Sequence, residues 1–340
     1  MKIKQTQEIT SFLDRCRTNL YNDTKNEFLG MKVTKSNEAK VQKMLQEADF
    51  DEFSGPKETW PSLFLSVDAW QKSPYHANVS LDLVKNEHFS YETQKIAGHE
   101  LFNTDVIQKD PKRELNDFMK LRAMDKNFDA IYLYQDERDW MLDAPSEANT
   151  NDVPASIAHG NVLTFGLGIG YFIYMALCNP NVKTITCVES SKQVIEMFER
   201  FLYPQFPQDK KVTIIHGDAY AYFNEEYLSQ FDYVYTDIWQ SSHDGLEAIE
   251  KLLMQYNPPL EKCDFWIEDS CEEVMWSLIY LYFDALYHNR VCDCNAMYKP
   301  LMKKIRRYFE GLDVTVTSPD TLKEYMYSRK VCREILALSK

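Results

Sequence analysis

Residues 162–170 read VLTFGLGIG, a short apolar run followed directly by three alternating glycines. The whole chain has only ten glycines in 340 residues, and four of them lie between residues 160 and 170. Such local enrichment indicates a backbone conformation, or a close approach, that a Cβ atom would block. We therefore expect a glycine loop that leaves a buried strand and enters a helix, as in sheets that bind nucleotides at strand ends.

The sequence after residue 155 repeats the order strand, turn, helix. Apolar runs at 161–165, 184–188, 212–215, 233–236 and 263–267 predict five short buried strands. Strands that alternate with helices form a parallel sheet with helices on both faces. The expected fold class is α/β, a doubly wound, Rossmann-like, mostly parallel sheet that follows an N-terminal helical and β-hairpin region.

The same patterns divide the chain into four regions. They are a helical region at 1–85, a β-hairpin lead-in at 86–154, the ligand-binding sheet domain at 155–290 and a C-terminal helical extension at 291–340.

Two hairpins and a linker are expected within the lead-in region. Residues 89–96 and 100–107 flank a turn at 97–99, and residues 130–134 and 140–142 flank a polar turn. Residues 112–122 between them fit a helix or a loop. Residues 144–154, with two prolines and several Asn, Asp and Ser, are the best linker candidate.

Composition restricts the partners. The chain carries 38 basic and 52 acidic residues, a net charge of −14, which disfavours nucleic acids and anionic membranes as partners. It has no apolar run long enough to span a membrane and no signal-peptide pattern at its start, so we expect a cytoplasmic protein. The eight scattered cysteines fit a reducing compartment. Cys292 and Cys294 lack a second pair at zinc spacing, so no metal is expected.

Three acidic residues follow three consecutive predicted strands. Glu189 comes 19 residues after Gly170, Asp218 ends the third strand, and Asp237 ends the fourth. At these strand ends, the Glu189 carboxylate can accept hydrogen bonds from both hydroxyls of a ribose, and the Asp218 carboxylate can accept one from an adenine amine. The Asp237 carboxylate lies beside the glycine loop. Together with the loop they predict a nucleoside site.

The loop does not match two common nucleotide fingerprints. In the dinucleotide pattern GxGxxG/A the last small residue would fall on Tyr171, a bulky ring. No Gly-Lys-Ser/Thr follows either, as a phosphate-binding P-loop requires. NAD and nucleoside triphosphates are therefore disfavoured.

Four stretches of the chain, taken as a set, resemble motifs I to IV of class I S-adenosylmethionine (SAM) dependent methyltransferases, and of their spermidine-synthase-like branch in particular. They are residues 162–170, Glu189, 216–219 and 231–239. The resemblance covers roughly residues 130–290 and implies SAM as the cofactor. It implies that the loop contacts the methionine moiety, Glu189 the ribose, Asp218 and Ala219 the adenine, and Asp237 the methionine amine or the acceptor. The cofactor contacts expected on this basis are Phe165, Gly166, Leu167, Gly168, Gly170, Glu189, Ser190, Asp218, Ala219, Asp237 and Trp239.

Three functions remain open, and methyl transfer to a small molecule is favoured. The spermidine-synthase pattern has one acidic residue inside the glycine loop and a second three residues after the motif IV Asp. This chain has Ile169 at the first position and Gln240 at the second. That departure disfavours the alternative, aminopropyl transfer from decarboxylated SAM. The third alternative is a nucleoside-binding relative without turnover.

On the acceptor side, Asp237 is the best candidate for a catalytic base and His243 the second, although His243 also fits a solvated loop. Glu147, Trp239 and Gln240 are the expected acceptor contacts. The first 150 residues carry no assignable motif. Two roles stay open for them, covering the acceptor pocket or forming a homodimer.

Overall fold

The computed structural model describes residues 1–20, 24–104, 115 and 120–339. In chain order, the elements before the main sheet are β1 (Lys2–Ile3), α1 (Gln7–Leu20), α2 (Glu38–Glu47), β2 (Phe64–Leu65), α3 (Val67–Gln71), α4 (Pro74–Asn78), β3 (Phe89–Ile96), β4 (Phe102–Asn103), β5 (Leu121–Met124), β6 (Phe128–Gln135), β7 (Arg138–Asp143) and α5 (Pro145–Ile157).

The elements that follow are β8 (Gly160–Phe165), α6 (Tyr171–Cys178), β9 (Val182–Glu189), α7 (Lys192–Met197), β10 (Lys211–His216), α8 (Ala219–Tyr222), α9 (Glu225–Leu228), β11 (Tyr233–Thr236), α10 (Ser242–Leu253), β12 (Cys263–Phe265), α11 (Glu268–Tyr287), α12 (Lys299–Glu310), β13 (Thr315–Val316), α13 (Pro319–Tyr327) and α14 (Arg329–Leu336). Short 3-10 turns span Thr24–Phe28, Asp51–Phe53, Lys57–Thr59, Leu81–Leu83, Tyr203–Gln205 and Ala296–Tyr298, and a π-turn spans Phe198–Leu202.

The main sheet has five strands in the order β10-β9-β8-β11-β12, and every neighbouring pair is parallel. The chain therefore winds one way from β8 to β10 and the other way through β11 and β12. This reversal beside β8 creates the crevice in which doubly wound sheets bind ligands. The predicted α/β, Rossmann-like fold class is confirmed.

All five strands predicted in this domain are present, with small differences at their ends. The fifth was expected to reach residue 267 but ends at Phe265. Ile267 adopts a left-handed backbone conformation, with a φ of 45°, and forms the N-cap of α11. An extended strand cannot continue through that conformation, so the chain turns into the helix.

The lead-in region confirms one predicted hairpin and corrects the other. β6 and β7 form the expected hairpin, but β3 pairs antiparallel with β6 over eight residues instead of with the residues that follow it. The turn at 97–99 faces the turn between β5 and β6, where the Asn127 side chain accepts from the Gly98 N–H. β4 pairs with β5 in a separate sheet. Residues 112–122 lie largely outside the described residues, and Leu121 and Arg122 begin β5.

The predicted linker at 144–154 is a helix, α5. Pro145 occupies its first turn, where a proline needs no N–H partner, and Glu147 adds the acidic side chain favoured there. The Asn179 side chain on the neighbouring loop donates to the carbonyls of Ala155 and Ala158, which ties the end of α5 to the sheet domain.

One hydrophobic core joins both ends of the chain to the main sheet. It contains Ile9 and Phe12 of α1, the strands β8 to β12, and Ile335 of α14. β1 pairs in parallel with β13 near the C-terminus. None of the helices in the described ranges is long and apolar enough to cross a membrane.

Candidate functional site

A cavity of about 650 Å³ lies beyond the C-terminal ends of the main strands. Its floor is formed by residues at the ends of β8, β9, β10, β11 and β12, and the β6–β7 hairpin and α5 supply the opposite wall. Because parallel strands end at one edge of the sheet, residues distant in sequence meet here.

The residues at this edge occur in the order of the strands. Asp218 follows β10, Glu189 ends β9, Gly166 follows β8, Asp237 follows β11 and Trp266 follows β12, and all five line the cavity. With neighbouring strands about 4.8 Å apart, the five strand ends span about 19 Å. An elongated ligand can therefore contact several of the predicted residues at once.

Two glycines of the loop permit contacts that a side chain would prevent. Gly166 has a φ of 91°, and a Cβ atom there would overlap the Asp237 carbonyl. Gly168 has a φ of 51°, and its absent Cβ leaves room for the thioether of Met141 on β7. The first brings the ends of β8 and β11 together, and the second allows the hairpin to close over the loop.

Glu189 is tied to the glycine loop and to the helix that follows it. Its Oε2 accepts from the Leu167 N–H at 3.0 Å, and its Oε1 accepts from the Ser191 N–H at 2.7 Å. Ser190 lines the cavity beside it, and the Ser190 carbonyl lies 3.0 Å from Nε2 of His216. The carboxylate is therefore held at the cavity wall with a fixed orientation.

Asp218 caps the short helix α8. Its Oδ1 accepts from the Tyr220 N–H at 3.0 Å, and the side chain is exposed. Ala219, the first residue of that helix, is buried and lines the cavity. The sequence left open whether Asp218 is a helix cap or a ligand contact; this arrangement is compatible with both.

Asp237 is half-buried and faces the cavity. Burial, and next the nearby Glu147 carboxylate, raise the pKa of Asp237 to about 8. Its backbone N–H donates to the Phe165 carbonyl at 2.9 Å, which fixes the residue beside the glycine loop. A carboxyl group of this kind can hold a proton near neutral pH and exchange it with a bound ligand.

The helix α5 holds Glu147 over the end of β11. The Tyr235 hydroxyl of β11 donates to Asn151 Oδ1 at 2.9 Å, and the Trp266 indole N–H donates to Thr150 Oγ1 at 2.8 Å. Thr150 Oγ1 in turn donates to the Glu147 carbonyl at 2.7 Å. These bonds fix the first turns of α5 against the ends of two strands.

The structure brings most of the predicted residues together but leaves three away from the cavity. Phe165 is fully buried in the core against Phe223. Gly170 faces the rings of Phe198 and Phe206 rather than the cavity. His243 is exposed near the start of α10 and does not line the cavity. The predicted residues that do line it are Glu147, Gly166, Leu167, Gly168, Glu189, Ser190, Asp218, Ala219, Asp237, Trp239 and Gln240.

Apart from Glu147 on α5, sequence reasoning named no residue of the wall opposite the sheet. The missed lining residues on β6 and β7 are Tyr132, Leu133, Gln135, Asp139, Trp140, Met141 and Leu142. The sequence predicted the two strands of the hairpin but not that they lie opposite the ends of the main strands. The pair Pro145 and Glu147, typical of a first helical turn, was the signal that could have revealed α5.

The charged side chains among the described lining residues of the cavity are all acidic. Among its described lining residues there is no Lys, Arg or His. The carboxylates that line it are Asp139, Glu147, Glu189, Asp218 and Asp237. Within the described part of the chain, no group of three or more His, Cys, Asp or Glu side chains could hold a metal ion.

No protein-family model matches the chain, and no curated protein matches it in sequence. Similar solved structures include human methyltransferase-like protein 13 in complex with SAH, with 16% identity, covering 28% of this chain and 47% of that one, at a TM-score of 0.22. Spermidine synthase from Thermotoga maritima is 14% identical, covering 53% of this chain and 62% of that one, at a TM-score of 0.28.

A putative SAM-dependent methyltransferase from Streptococcus mutans is 14% identical over 49% of this chain and 46% of that one, at a TM-score of 0.27. The chain thus spans about half to three fifths of these three proteins. The strand order itself establishes the fold, a doubly wound parallel sheet with β8 at its centre. At the level of the fold, this agrees with the resemblance to class I methyltransferases and spermidine synthases.

Proposed function

We propose that the protein is a SAM-dependent methyltransferase that acts on a small molecule. The observation that carries this proposal is the order of groups along one sheet edge. Asp218 and Glu189 lie on one side of the glycine loop, and Asp237 and Trp266 lie on the other. One half of the cavity thus suits a nucleoside, and the half under α5 leaves room for an acceptor.

The residues of the first half fit an adenosyl group. The exposed Asp218 carboxylate can accept from the adenine amine, and the oriented Glu189 carboxylate can accept from the ribose hydroxyls. The glycine loop offers backbone with no Cβ at Gly166 and Gly168, so the methionine part of the cofactor can approach closely. Its methionine end would then point toward Asp237.

When bound, SAM supplies an electrophilic methyl group on a sulfonium sulfur. The enzyme's own contribution is to align the acceptor with that methyl group and to exclude water from the site. The hairpin and α5 provide the cover, with Met141 against Gly168 and Trp266 bonded to Thr150. Asp237 lines the cavity, and in its ionised form it can receive a proton from the acceptor.

One observation favours a second candidate, aminopropyl transfer from decarboxylated SAM. The described lining offers no cationic side chain for the methionine carboxylate, a group that decarboxylated SAM lacks. Against it, Ile169 and Gln240 line the cavity in the positions where the spermidine-synthase pattern has acids.

Calorimetric titration with SAM, S-adenosylhomocysteine and decarboxylated SAM separates these functions. Methyl transfer predicts that the first two bind more tightly than the third. A preference for decarboxylated SAM would favour aminopropyl transfer, and binding of none would refute both. The variant Glu226→Gln, an exposed acid on α9, serves as a control that should bind like the parent.

A further inference from the structure

The helix α12 presents a basic face to solvent. Its opposite side packs into the core through Met302, Ile305 and Phe309, all of which are buried. At 3.6 residues per turn, the exposed cations of the helix fall within an arc of about 100°. We call this arc the basic face, and its members are Lys299, Lys303, Arg306 and Arg307.

The cations of the basic face have no acidic partners in the described part of the chain. None of the four forms an ion pair with a described Asp or Glu, and Arg307 donates instead to the Ser339 carbonyl at 3.2 Å. Elsewhere an exposed helical lysine pairs with an acid four residues away, as Lys43 does with Glu47. The single acidic residue of α12, Glu310, is its last residue. The positive charge of the basic face is therefore available to a partner.

The local charge is opposite to that of the rest of the chain. Residues 290–340 hold 11 basic and 6 acidic side chains, a net charge of +5, whereas the first 289 residues carry −19. At physiological ionic strength, exposed charges more than about 8 Å apart are largely screened from each other. The basic face can therefore attract a small anionic group that approaches it alone, although the whole chain is acidic.

Exposed apolar side chains border the basic face. Met297, two residues before Lys299, is 59% exposed, and Val291 is 86% exposed. The Sγ atom of Cys292, next to Val291, lies 3.6 Å from the Met302 Sδ atom, which places this segment beside α12. Exposed aliphatic and thioether groups next to cations favour a partner that offers both apolar and acidic side chains.

The same features disfavour larger polyanions. A nucleic acid or an anionic membrane is long or broad enough to bring the acidic remainder of the chain within the screening length. The exposed positions of α12, all of which the structure describes, carry no aromatic ring on which a base could stack. From Lys299 to Arg307 the basic face extends about 12 Å, which matches a short peptide segment.

We propose that the basic face of α12 docks an acidic segment of a partner protein, with an apolar side chain of that segment against Met297. The carboxylates of the segment pair with the cations of the basic face. This interaction goes beyond the proposed methyl transfer and does not depend on it. No residue of α12 lines the described cavity, so docking and ligand binding can be measured separately.

Fluorescence anisotropy with two labelled peptides tests this proposal on the full chain. The peptide EELEELEE should bind about ten-fold or more tightly than its uncharged counterpart QQLQQLQQ, and its affinity should fall as the salt concentration rises. Each exposed ion pair contributes a factor of up to about five. The double variant Lys303→Glu with Arg306→Glu should therefore weaken binding about ten-fold or more. The control Lys35→Glu with Lys40→Glu makes the same change of net charge at exposed positions and should bind like the parent.

A second pair of variants separates charge from folding and tests the apolar contact. Lys303→Gln with Arg306→Gln adds no acidic charge and should weaken binding by a smaller factor than the Glu pair. Met297→Ser removes the apolar contact and should weaken binding of EELEELEE about three-fold. All these positions are exposed, so urea unfolding should give the midpoint of the parent.

Four results would overturn the proposal. They are no binding of EELEELEE, equal binding of QQLQQLQQ, parental affinity in both α12 double variants, and parental affinity in Met297→Ser. Octauridylate and phosphatidylserine vesicles are tested as competitors. If either binds the full chain more tightly than EELEELEE does, the basic face serves RNA or a membrane, and the proposal is wrong.

Discussion

At the scale of single residues, Asp237 determines how the site responds to pH. Burial is the larger cause that raises the pKa of Asp237, and the Glu147 carboxylate on α5 is the second. Both causes disfavour the ionised form of Asp237. The carboxyl group therefore keeps its proton to a pH at which an ordinary aspartate is ionised.

This predicts a pH-dependent stability difference between the parent and Asp237→Asn. In the unfolded chain Asp237 ionises near pH 4, but in the folded protein it ionises near pH 8. Its contribution to stability is therefore complete below pH 4 and is lost as the pH rises to 8. Relative to Asp237→Asn, the parent should lose up to about 1.4 kcal/mol of unfolding free energy per pH unit over this range. Urea unfolding of both proteins between pH 4 and 9 measures this; a difference that does not vary with pH would contradict it.

A second residue-scale prediction concerns the nucleoside half. Glu189→Ala and Asp218→Ala should each weaken binding of S-adenosylhomocysteine by about 1–3 kcal/mol, the range for loss of one partner of a polar contact. Glu189→Ala also removes the acceptor of the Leu167 N–H and should have the larger effect. Calorimetry gives the affinities, and urea unfolding checks that the variants remain folded. Unchanged affinity in both variants would place the nucleoside elsewhere.

At the scale of elements, the short helix α4 braces the site from behind. The Tyr75 hydroxyl donates to the Ile169 carbonyl in the glycine loop at 2.8 Å, and both residues are buried. On the next residue, His76 Nε2 lies 2.7 Å from Asp143 Oδ1 at the end of β7. One turn of helix from the N-terminal region thus connects the glycine loop with the hairpin that covers it.

We therefore expect Tyr75→Phe to weaken cofactor binding although Tyr75 does not line the cavity. Loss of the hydroxyl leaves the Ile169 carbonyl without that donor, which costs about 1–3 kcal/mol. Part of this cost lowers the free energy of unfolding, and the rest weakens ligand binding because the loop is held less firmly. The matched control is Tyr174→Phe, whose hydroxyl bonds Asn78 and whose ring packs against Tyr75. Calorimetry with S-adenosylhomocysteine should show weaker binding for Tyr75→Phe only; equal affinities in the two variants would refute the brace.

The elements also show which parts of the fold local sequence patterns can predict. The run 162–170 predicted β8 and its loop because local composition controls a tight turn between strand and helix. The pairing of β3 with β6 has no such local cause, since the two strands are separated by more than thirty residues. α5 was predicted as a linker because its two prolines and its polar residues suit a loop. Pro145 and Glu147 fit a first helical turn, and packing against the sheet domain stabilises the helix.

At the scale of the whole molecule, the C-terminal extension supports the β12 edge of the main sheet. Arg333 of α14 donates to both oxygens of Glu268 at 2.6 and 2.7 Å and to the Cys263 carbonyl at 2.8 Å. Its guanidinium group also lies 4.7 Å from the centre of the Phe265 ring. These contacts surround the turn that carries Trp266 into the cavity, so the end of the chain stabilises a wall of the site.

Breaking this buried pair should destabilise the protein strongly. Arg333 and Glu268 are 1% and 3% exposed, so Arg333→Met leaves a buried carboxylate without its main partner and should cost about 3–5 kcal/mol. The double variant with Glu268→Met removes both charges and should cost less than the sum of the single variants. Urea unfolding of the three variants tests this; additive effects would show that the two charges do not act as a pair.

The whole-molecule view also explains what the sequence could predict of the site. Glu189, Asp218 and Asp237 were identified because each lies at or just after the end of a strand, and the ends of parallel strands meet at one edge. The hairpin wall and the brace through Tyr75 depend on how separate regions pack, which no local pattern encodes. His243 follows Asp237 closely in the chain, but it lies on α10 and does not line the cavity.

The most direct test of the central claim is a crystal structure of the protein with S-adenosylhomocysteine. We predict the adenine beside Asp218, the ribose hydroxyls on Glu189, and the sulfur on the side of the glycine loop that faces Asp237 and Glu147. A nucleoside bound in the reverse direction, with its base between β11 and α5, or bound outside this cavity, would contradict the account.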